Sequence, residues 1–450
     1  MFTHLPRVLE QIQRNLTDYL DADTVVAAFR DAGLSWRKRV LDPLTTLRLF
    51  VLQILNGNTA INHLRHLHPE PFTDSAYCQA RARLPLAALQ HLLRRLVAAL
   101  QPLMNDDDGR WLGHRTFHVD GSGFSMPDTP ELQKAFGQPG GQKPGCGFPV
   151  AHGLLLFHAG LGFLLKVLAA PLRSHDLALT APMHAELEEG DVLVGDRAFC
   201  SFAHLALLFQ RKLHGVFRIH QRQRVDFRPG RRCNRPGTKH RKGLPTSRWL
   251  RRLGVTDQLV EWFKPKDRPL WMAAETYASL PASLVLRELR YRVEQPGFRT
   301  KSVTLVTTLL DPDAYPREAL ADLYQQRWRV ETNLSHLKRT MGMDVLRCET
   351  KVGVLKEMVI FALVYNLVRV VMCAAAKRQE VPVERISFID ALRWLRHADL
   401  ESPLPTLIVN PERPGRIEPR VRKRRPKEFP VMKRPREQLR KGLQNTALAA

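Results

Sequence analysis

A nineteen-residue apolar run, Met358 to Ala376, constrains this 450-residue chain more than any other segment. At about 1.5 Å per residue it approaches the roughly 20 residues needed to cross a bilayer. Asn366 and Arg369 interrupt it, however, and no aromatic belt flanks it. An amide and a guanidinium are costly in hydrocarbon, whereas a helix that is apolar all round is at home in the middle of a large core. The run therefore predicts a buried central helix, with no membrane partner. A chain with 44% hydrophobic residues can enclose one.

The periodicity before and after that helix divides the chain. Residues 1–108 carry helical spacing, as in Leu41 to Leu55 and Ala87 to Leu100, with Asn56-Gly57-Asn58 as a turn. Asp106-Asp107-Asp108-Gly109 breaks the pattern. A strand, Thr116 to Val119, then ends at Asp120-Gly121-Ser122-Gly123, followed by strands at Gly153 to Phe157 and Phe163 to Leu168. A helix around Leu177 to Glu189, the short strand Val192-Leu193-Val194, a helix near Phe202 to Lys212 and a strand near Gly215 to Ile219 complete an α/β core within 109–350. Residues 220–309 read as an insertion, first basic and punctuated by Gly and Pro, then strand-like around Glu288 to Val293 and Ser302 to Leu309. Residues 351–450 hold the buried helix, an amphipathic one (Ile386 to His397) and a Pro- and Arg-rich tail.

Charge points to the partner. The chain has 69 Lys and Arg against 44 Asp and Glu, a net +25, which favours a polyanion, nucleic acid first. The excess is clustered. Residues 211–252 hold 15 Lys or Arg against Asp226 alone, and residues 411–450 hold 13 against four Glu. The six cysteines stand singly, without the spacing of a zinc site or a disulfide framework, and read as reduced thiols. Met1 to Val8 lacks the basic and apolar regions of a signal peptide, so a cytoplasmic location is expected.

The chemistry gathers on one more helix. At about 100° per residue, Tyr324, Arg327, Glu331 and Lys338 fall within roughly 60° of one face. Leu323, Val330, Leu334, Leu337 and Met341 make an apolar stripe beside them, with no Pro or Gly before Gly342. Ordinary i,i+4 pairing of Arg327 with Glu331 explains part of this. A carboxylate held between cations and a phenol at the edge of a core also suits a metal-bound or phosphate-bearing ligand. Asp120 and Asp196 stand at strand ends beside glycines, where open α/β sheets place their chemistry. Three acids from separate elements repel unless a cation joins them, and hard oxygen ligands suit Mg²⁺ or Mn²⁺. Two such ions about 3.5–4 Å apart serve an in-line phosphoryl displacement. Arg197, next to Asp196, reads either as a DNA contact or as a screen for the carboxylates.

The spacing Tyr-x-x-Arg-x-x-x-Glu-x-x-x-x-x-x-Lys, filled by Tyr324, Arg327, Glu331 and Lys338, resembles the signature of DDE transposases of the insertion-sequence-four group. His118-Val119-Asp120-Gly121-Ser122 and Gly195-Asp196-Arg197-Ala198-Phe199 are similar to that family's two aspartate blocks, and Tyr77-Cys78-Gln79-Ala80-Arg81 and the Arg420 to Pro426 tail extend the likeness over most of the chain. The resemblance implies an RNase H-like catalytic core with a mainly β insertion, behind a helical N-terminal DNA-binding domain and ahead of a helical, basic C-terminal region. It implies Asp120, Asp196 and Glu331 as catalytic metal ligands for two Mg²⁺ ions, with Mn²⁺ as a substitute, and Tyr324, Arg327 and Lys338 as contacts to DNA phosphates.

The expected activity is cleavage of DNA at the ends of a mobile element and strand transfer into target DNA. Terminal inverted repeats and target DNA are the expected double-stranded partners, bound by a dimer because two ends need two active sites. A transposase-derived regulator that binds DNA without catalysis, or a metal-dependent nuclease that only hydrolyses, are the competing readings. Trp249, Trp262 and Trp271 in the insertion carry no motif that assigns one to base stacking, and a core role suits an indole in a β segment. His63, His66 and His68 lack the partners of a zinc site.

Overall fold

The computed structural model describes residues 22–37, 39–104, 110–293, 302–397, 404–412 and 432–448. The Asp106 to Gly109 break, the Met1 to Val8 segment and the Arg420 to Pro426 block lie outside the described residues.

The strands are β1 (Thr116–Ser125), β2 (Val150–His158), β3 (Leu164–Pro171), β4 (Val192–Gly195), β5 (His214–Arg218), β6 (Ser247–Gly254), β7 (Asp257–Phe263), β8 (Ser283–Arg292) and β9 (Ser302–Thr307). They join in a single sheet of order β3-β2-β1-β4-β5-β9-β8-β7-β6. β1, β4 and β5 run parallel, and every other neighbour is antiparallel. The molecule is thus mixed α/β around one large sheet. Residues 220–309 supply β6 to β9, and β9 bonds directly to β5 from Val216↔Thr307 to Arg218↔Leu305, so this segment continues the core sheet.

β1 runs further than its sequence suggests. Asp120-Gly121-Ser122-Gly123 reads as a turn, but β2 pairs with β1 without a break from Phe117↔His158 to Ser125↔Val150, and that ladder keeps the turn-prone residues extended. β4 pairs with β1 only from Thr116↔Val192 to His118↔Val194. Asp120 therefore lies inside a strand, not at its end, but just beyond the last parallel pair.

Before β1 come helices α1 (Ala22–Asp31), α2 (Pro43–Leu55), α3 (Asp74–Arg83) and α4 (Leu86–Ala99). α2 starts at Asp42, whose Oδ1 accepts the N–H of Thr45 at 2.7 Å, with Pro43 at the first helical position. α5 (Asp176–Met183) and α6 (Phe202–Gln210) connect the strands, and α7 (Arg317–Gln326) and α8 (Arg329–Ser335) follow β9. Last come α9 (Lys351–Gln379), α10 (Phe388–His397) and α11 (Arg436–Leu448).

The apolar run forms most of α9, and it is buried as expected, with Asn366 and Arg369 among its buried residues. Asn366 is satisfied there: its Oδ1 accepts from Leu164 N (2.8 Å) and its Nδ2 donates to Leu164 O (2.9 Å). Arg369 donates to Leu161 O. α9 packs on α2, α4, α10 and β3, so the helices before β1 share one hydrophobic cluster with the sheet and α9. A second cluster joins Val192, Val194, Val216, Leu289 and Leu305 of the sheet to Leu320, Leu323 and Tyr324 of α7.

Candidate active site

His118 pairs with Val194, so Asp120, two residues on, points to the face that α7 covers. The helix that carries the rest of the site is not one uniform α-helix. After α7 its N–H groups at Arg327, Trp328, Val330 and Glu331 reach back only three residues, to Tyr324, Gln325, Arg327 and Trp328. A π-helical turn then occupies His336–Thr340, and Met341 N reaches five residues back to His336 O. The chain is tightened on one side of Glu331 and loosened on the other, which departs from the even helix expected. Tertiary contacts account for the loosened end, because Lys338 Nζ donates to Ser122 Oγ (2.9 Å) and Gly123 O (2.8 Å) of β1. Such π turns recur at functional sites.

Asp120, Glu331 and Lys338 line one cleft of ≈ 660 Å³, together with Ser122, Arg339 and Asp344. Arg327 Nη1 stands 3.6 Å from Asp120 Oδ2, and its guanidinium lies 5.9 Å from the centre of the Tyr324 ring. Burial pushes the Asp120 carboxyl up to about 7. Arg327 and the Gly121 N–H (2.8 Å) oppose that shift, whereas the Glu331 and Asp196 carboxylates add to it. Burial also raises the Tyr324 phenol above its ordinary range and lowers the Lys338 ammonium, the latter opposed by Asp344. His118, on the same face below Asp120, is buried with both ring nitrogens unpartnered among the described residues.

Asp196 follows β4 directly, and its Oδ1 accepts the N–H of Ala198 at 2.7 Å. It is close enough to act on the Asp120 carboxyl but does not line the cleft. Arg197 donates to Gln221 Oε1 at 3.0 Å and forms no ion pair with Asp196 among the described residues. Nor do three His, Cys, Asp or Glu side chains close into a ready-made metal cage among those residues.

Sequence reasoning missed several neighbours. His152 Nε2 and Asp176 Oδ1 lie 2.6 Å apart on the far side of β1, so close that a Cβ on Gly121 would stand 2.6 Å from that oxygen and 3.0 Å from His152 Cε1. His152 sits in an apolar strand and Asp176 in the first turn of α5, and neither position signals a pair. Trp328, at the tightened turn beside Arg327, is 57% exposed. Of the indoles weighed from sequence, Trp262 is buried, with Nε1 donating to Glu288 Oε1 at 2.9 Å, and Trp271 packs against the core.

The sequence family described as "Transposase DDE domain" matches residues 111–367, more than half of the chain. The chain belongs to the DDE transposases. It is 24% identical over 466 residues to the transposase InsG for insertion sequence element IS4 of Escherichia coli (strain K12), covering 95% of this chain and 98% of that one. Against the putative transposase InsZ of the same organism the identity is 29% over 213 residues, 46% of this chain and 66% of that one. These relatives place it with the IS4 type. A solved structure of piggyBac transposase in a synaptic complex with hairpin DNA aligns at a TM-score of 0.41 and 10% identity, over 85% of this chain and 78% of that one. The DDE transposase is a DNA-cleaving and strand-transferring enzyme of a family that works with divalent metal ions.

Proposed function

We propose that the cleft is the active site of transposition, with Asp120, Asp196 and Glu331 as its catalytic, metal-binding carboxylates. One observation carries the reading. Asp120 from β1 and Glu331 from α8 line a common cleft, and burial beside Glu331 and Asp196 pushes the Asp120 carboxyl up to about 7. Carboxylates crowded in this way suit a hard divalent cation, Mg²⁺ or its substitute Mn²⁺, in a two-ion site. The donors fit, since all three are oxygen ligands, and beyond the Gly121 N–H on Oδ1 and the long Arg327 contact on Oδ2 the Asp120 carboxylate keeps lone pairs for a cation. When bound, the ions supply Lewis-acid polarisation of the scissile phosphate and an activated water or 3′-hydroxyl.

The protein's own side chains hold the DNA. Two of the three Lys338 N–H groups are committed to β1, which leaves one to meet a phosphate oxygen in the cleft. Arg327, stacked near Tyr324, offers a fork to the adjacent phosphate at the transposon end, and Tyr324 contributes its hydroxyl. Arg197, at the exposed edge beside Asp196, adds a further DNA contact.

In this reading β1 to β5 with their helices are an RNase H-like core within residues 109–350, and 220–309 is its mainly β insertion. Residues 1–108 and the two basic segments read the terminal inverted repeats, while 351–450 supplies the closing helices and the tail. Cutting and joining two ends calls for two active sites, hence a dimer on DNA, acting on cytoplasmic DNA. The test is incubation with Mg²⁺ and a labelled DNA carrying the element's own ends, wild type beside Glu331→Gln. End nicking and joined products that vanish in the variant are expected. A variant that cuts and joins as wild type does would sink the assignment.

A further inference from the structure

Asn58 sits where a side chain is costly. It follows α2 with φ +54°, the left-handed region where glycine is the ordinary choice and Asn a tolerated one. The residue is 1% exposed, and its Oδ1 has no hydrogen-bond partner among the described residues. Both penalties are offset through one group: Nδ2 donates to Glu357 Oε1 at 2.6 Å. An outlier of this kind is a reason to ask what the contact does.

Glu357 is buried near the start of α9. Besides Asn58 it accepts the N–H of Arg347, at 2.9 Å on Oε1 and 3.0 Å on Oε2, and that of Cys348 at 2.9 Å. An ionised carboxylate only accepts, and these donors give both of its oxygens partners. They belong to the segment that leaves the cleft helix. One residue earlier, Leu346 N donates to Ser125 O at 2.8 Å, and Ser125 N donates to Asp344 O at 3.0 Å, so Val345 bridges the end of β1. The same segment grips the helix, with Met343 N on Leu337 O (3.0 Å) and Asp344 N on Lys338 O (3.3 Å). Gly57 O lies 3.4 Å from where a Cβ on Gly342 would stand, so the turn after α2 abuts the residue that closes the helix. Gln53 braces that turn from the other side, donating to Thr59 O and accepting from the Tyr77 hydroxyl and Arg81.

We propose that Asn58 and Glu357 are positioning residues for the cleft, an inference that rests on reading the cleft as the active site. Together they fix residues 344–348 on the end of β1 and thereby set where Lys338 enters. Neither lines the cleft. Through them the helical layer before β1 holds the active-site geometry directly, although more than two hundred residues of chain separate it from Lys338.

The test uses full-length Asn58→Ala and Glu357→Gln beside wild type and Glu331→Gln. Three readouts are taken: thermal unfolding, amide hydrogen exchange over residues 336–348, and single-turnover cleavage of labelled DNA carrying the element's ends. Exchange at the Leu346 and Cys348 amides is expected to rise about tenfold in both variants. The cleavage rate at saturating DNA should fall about tenfold with half-saturation unchanged. The double variant Asn58→Asp/Glu357→Gln restores an amide-to-carboxylate bond with the roles exchanged, and it should recover both protection and rate. Should Glu357→Gln not fold, Asn58→Ala and the double variant decide. Unchanged exchange and rate in Asn58→Ala overturn the proposal, as does a loss that the double variant fails to recover. If Glu331→Gln cleaves like wild type, the active-site reading fails instead, and the exchange data alone judge the contact.

Discussion

The base and the middle of β1 carry the same kind of ion pair built to different tolerances. At its base Arg115 meets Asp191 through bonds of 2.8 and 2.6 Å, with both side chains 4% exposed. Halfway along it Arg327 reaches Asp120 through a single contact of 3.6 Å. Arg287 and Asp257 repeat the tight arrangement between β8 and β7, at 2.9 and 2.5 Å. A pair that holds a fold together fills its own hydrogen-bonding capacity, because breaking a buried pair leaves an uncompensated charge. A pair that serves a ligand leaves capacity open. In this protein the open pair includes a carboxylate that lines the cleft, and the closed pairs lie away from it.

The largest test of that contrast is activity. Asp120→Asn should lower end cleavage by about 10³-fold or more, whereas Asp191→Asn should leave the rate per folded molecule within about twofold in the gel assay. Similar losses in both would erase the distinction. Stability should run the other way in urea titrations with chelator present. Asp191→Asn is expected to cost about 2 kcal/mol, because Arg115 loses its bidentate carboxylate but keeps Glu188 (3.2 Å) and Gln101 (2.9 Å). Asp120→Asn, which removes a carboxylate whose charged form burial disfavours, is expected to gain on the order of 1 kcal/mol.

Acid should act through buried histidines, one of which, His336, begins the π-helical turn of the cleft helix. Burial pushes His158, His204 and His336 down to about 4, and His184 to about 2. His204 Nδ1 faces Phe199 O at 2.7 Å, so its Nε2 is free to accept from His184 Nε2 at 3.0 Å, an arrangement that suits two neutral rings. Folded-state values below the unfolded value of about 6.5 mean that this stability is complete above pH 6.5 and is lost as pH falls toward 4. Each such histidine should cost about 1.4 kcal/mol per pH unit below 6.5. Urea midpoints measured at pH 7.5 and 5.5 check it, and equal midpoints would contradict neutral burial. The smallest effect should come from Arg197→Ala, whose exposed partner is Gln221. Stability should change by less than about 0.5 kcal/mol, and the salt dependence of DNA binding should lose about one unit of slope if the residue meets a phosphate.

Much of this was legible along the chain. The order of the first five strands follows from short apolar runs and turn residues, and α9 follows from one apolar run. The even stripe of Tyr324, Arg327, Glu331 and Lys338 named the cleft helix, but not its tightened and loosened turns. The loosened turn depends on where Lys338 finds Ser122 and Gly123, 216 and 215 residues away in sequence. β6 was hidden by its charge. Ser247–Gly254 reads as a basic loop, and it becomes a strand because β7 pairs along it from Ser247↔Trp262. Asn56-Gly57-Asn58 reads correctly as a turn, yet nothing local distinguishes a turn in solvent from one pressed against Gly342 and Glu357.

The position of α9 also sets an order in time. The helices before β1 and the sheet share their core with a helix that begins only at Lys351, so a chain emerging from the ribosome has most of its residues exposed before that core can close. Contacts this distant in sequence form late and slowly. A product that stops short of Lys351 therefore lacks the element around which both the leading helices and the sheet consolidate. The apolar surface that such a product leaves uncovered makes it prone to aggregate.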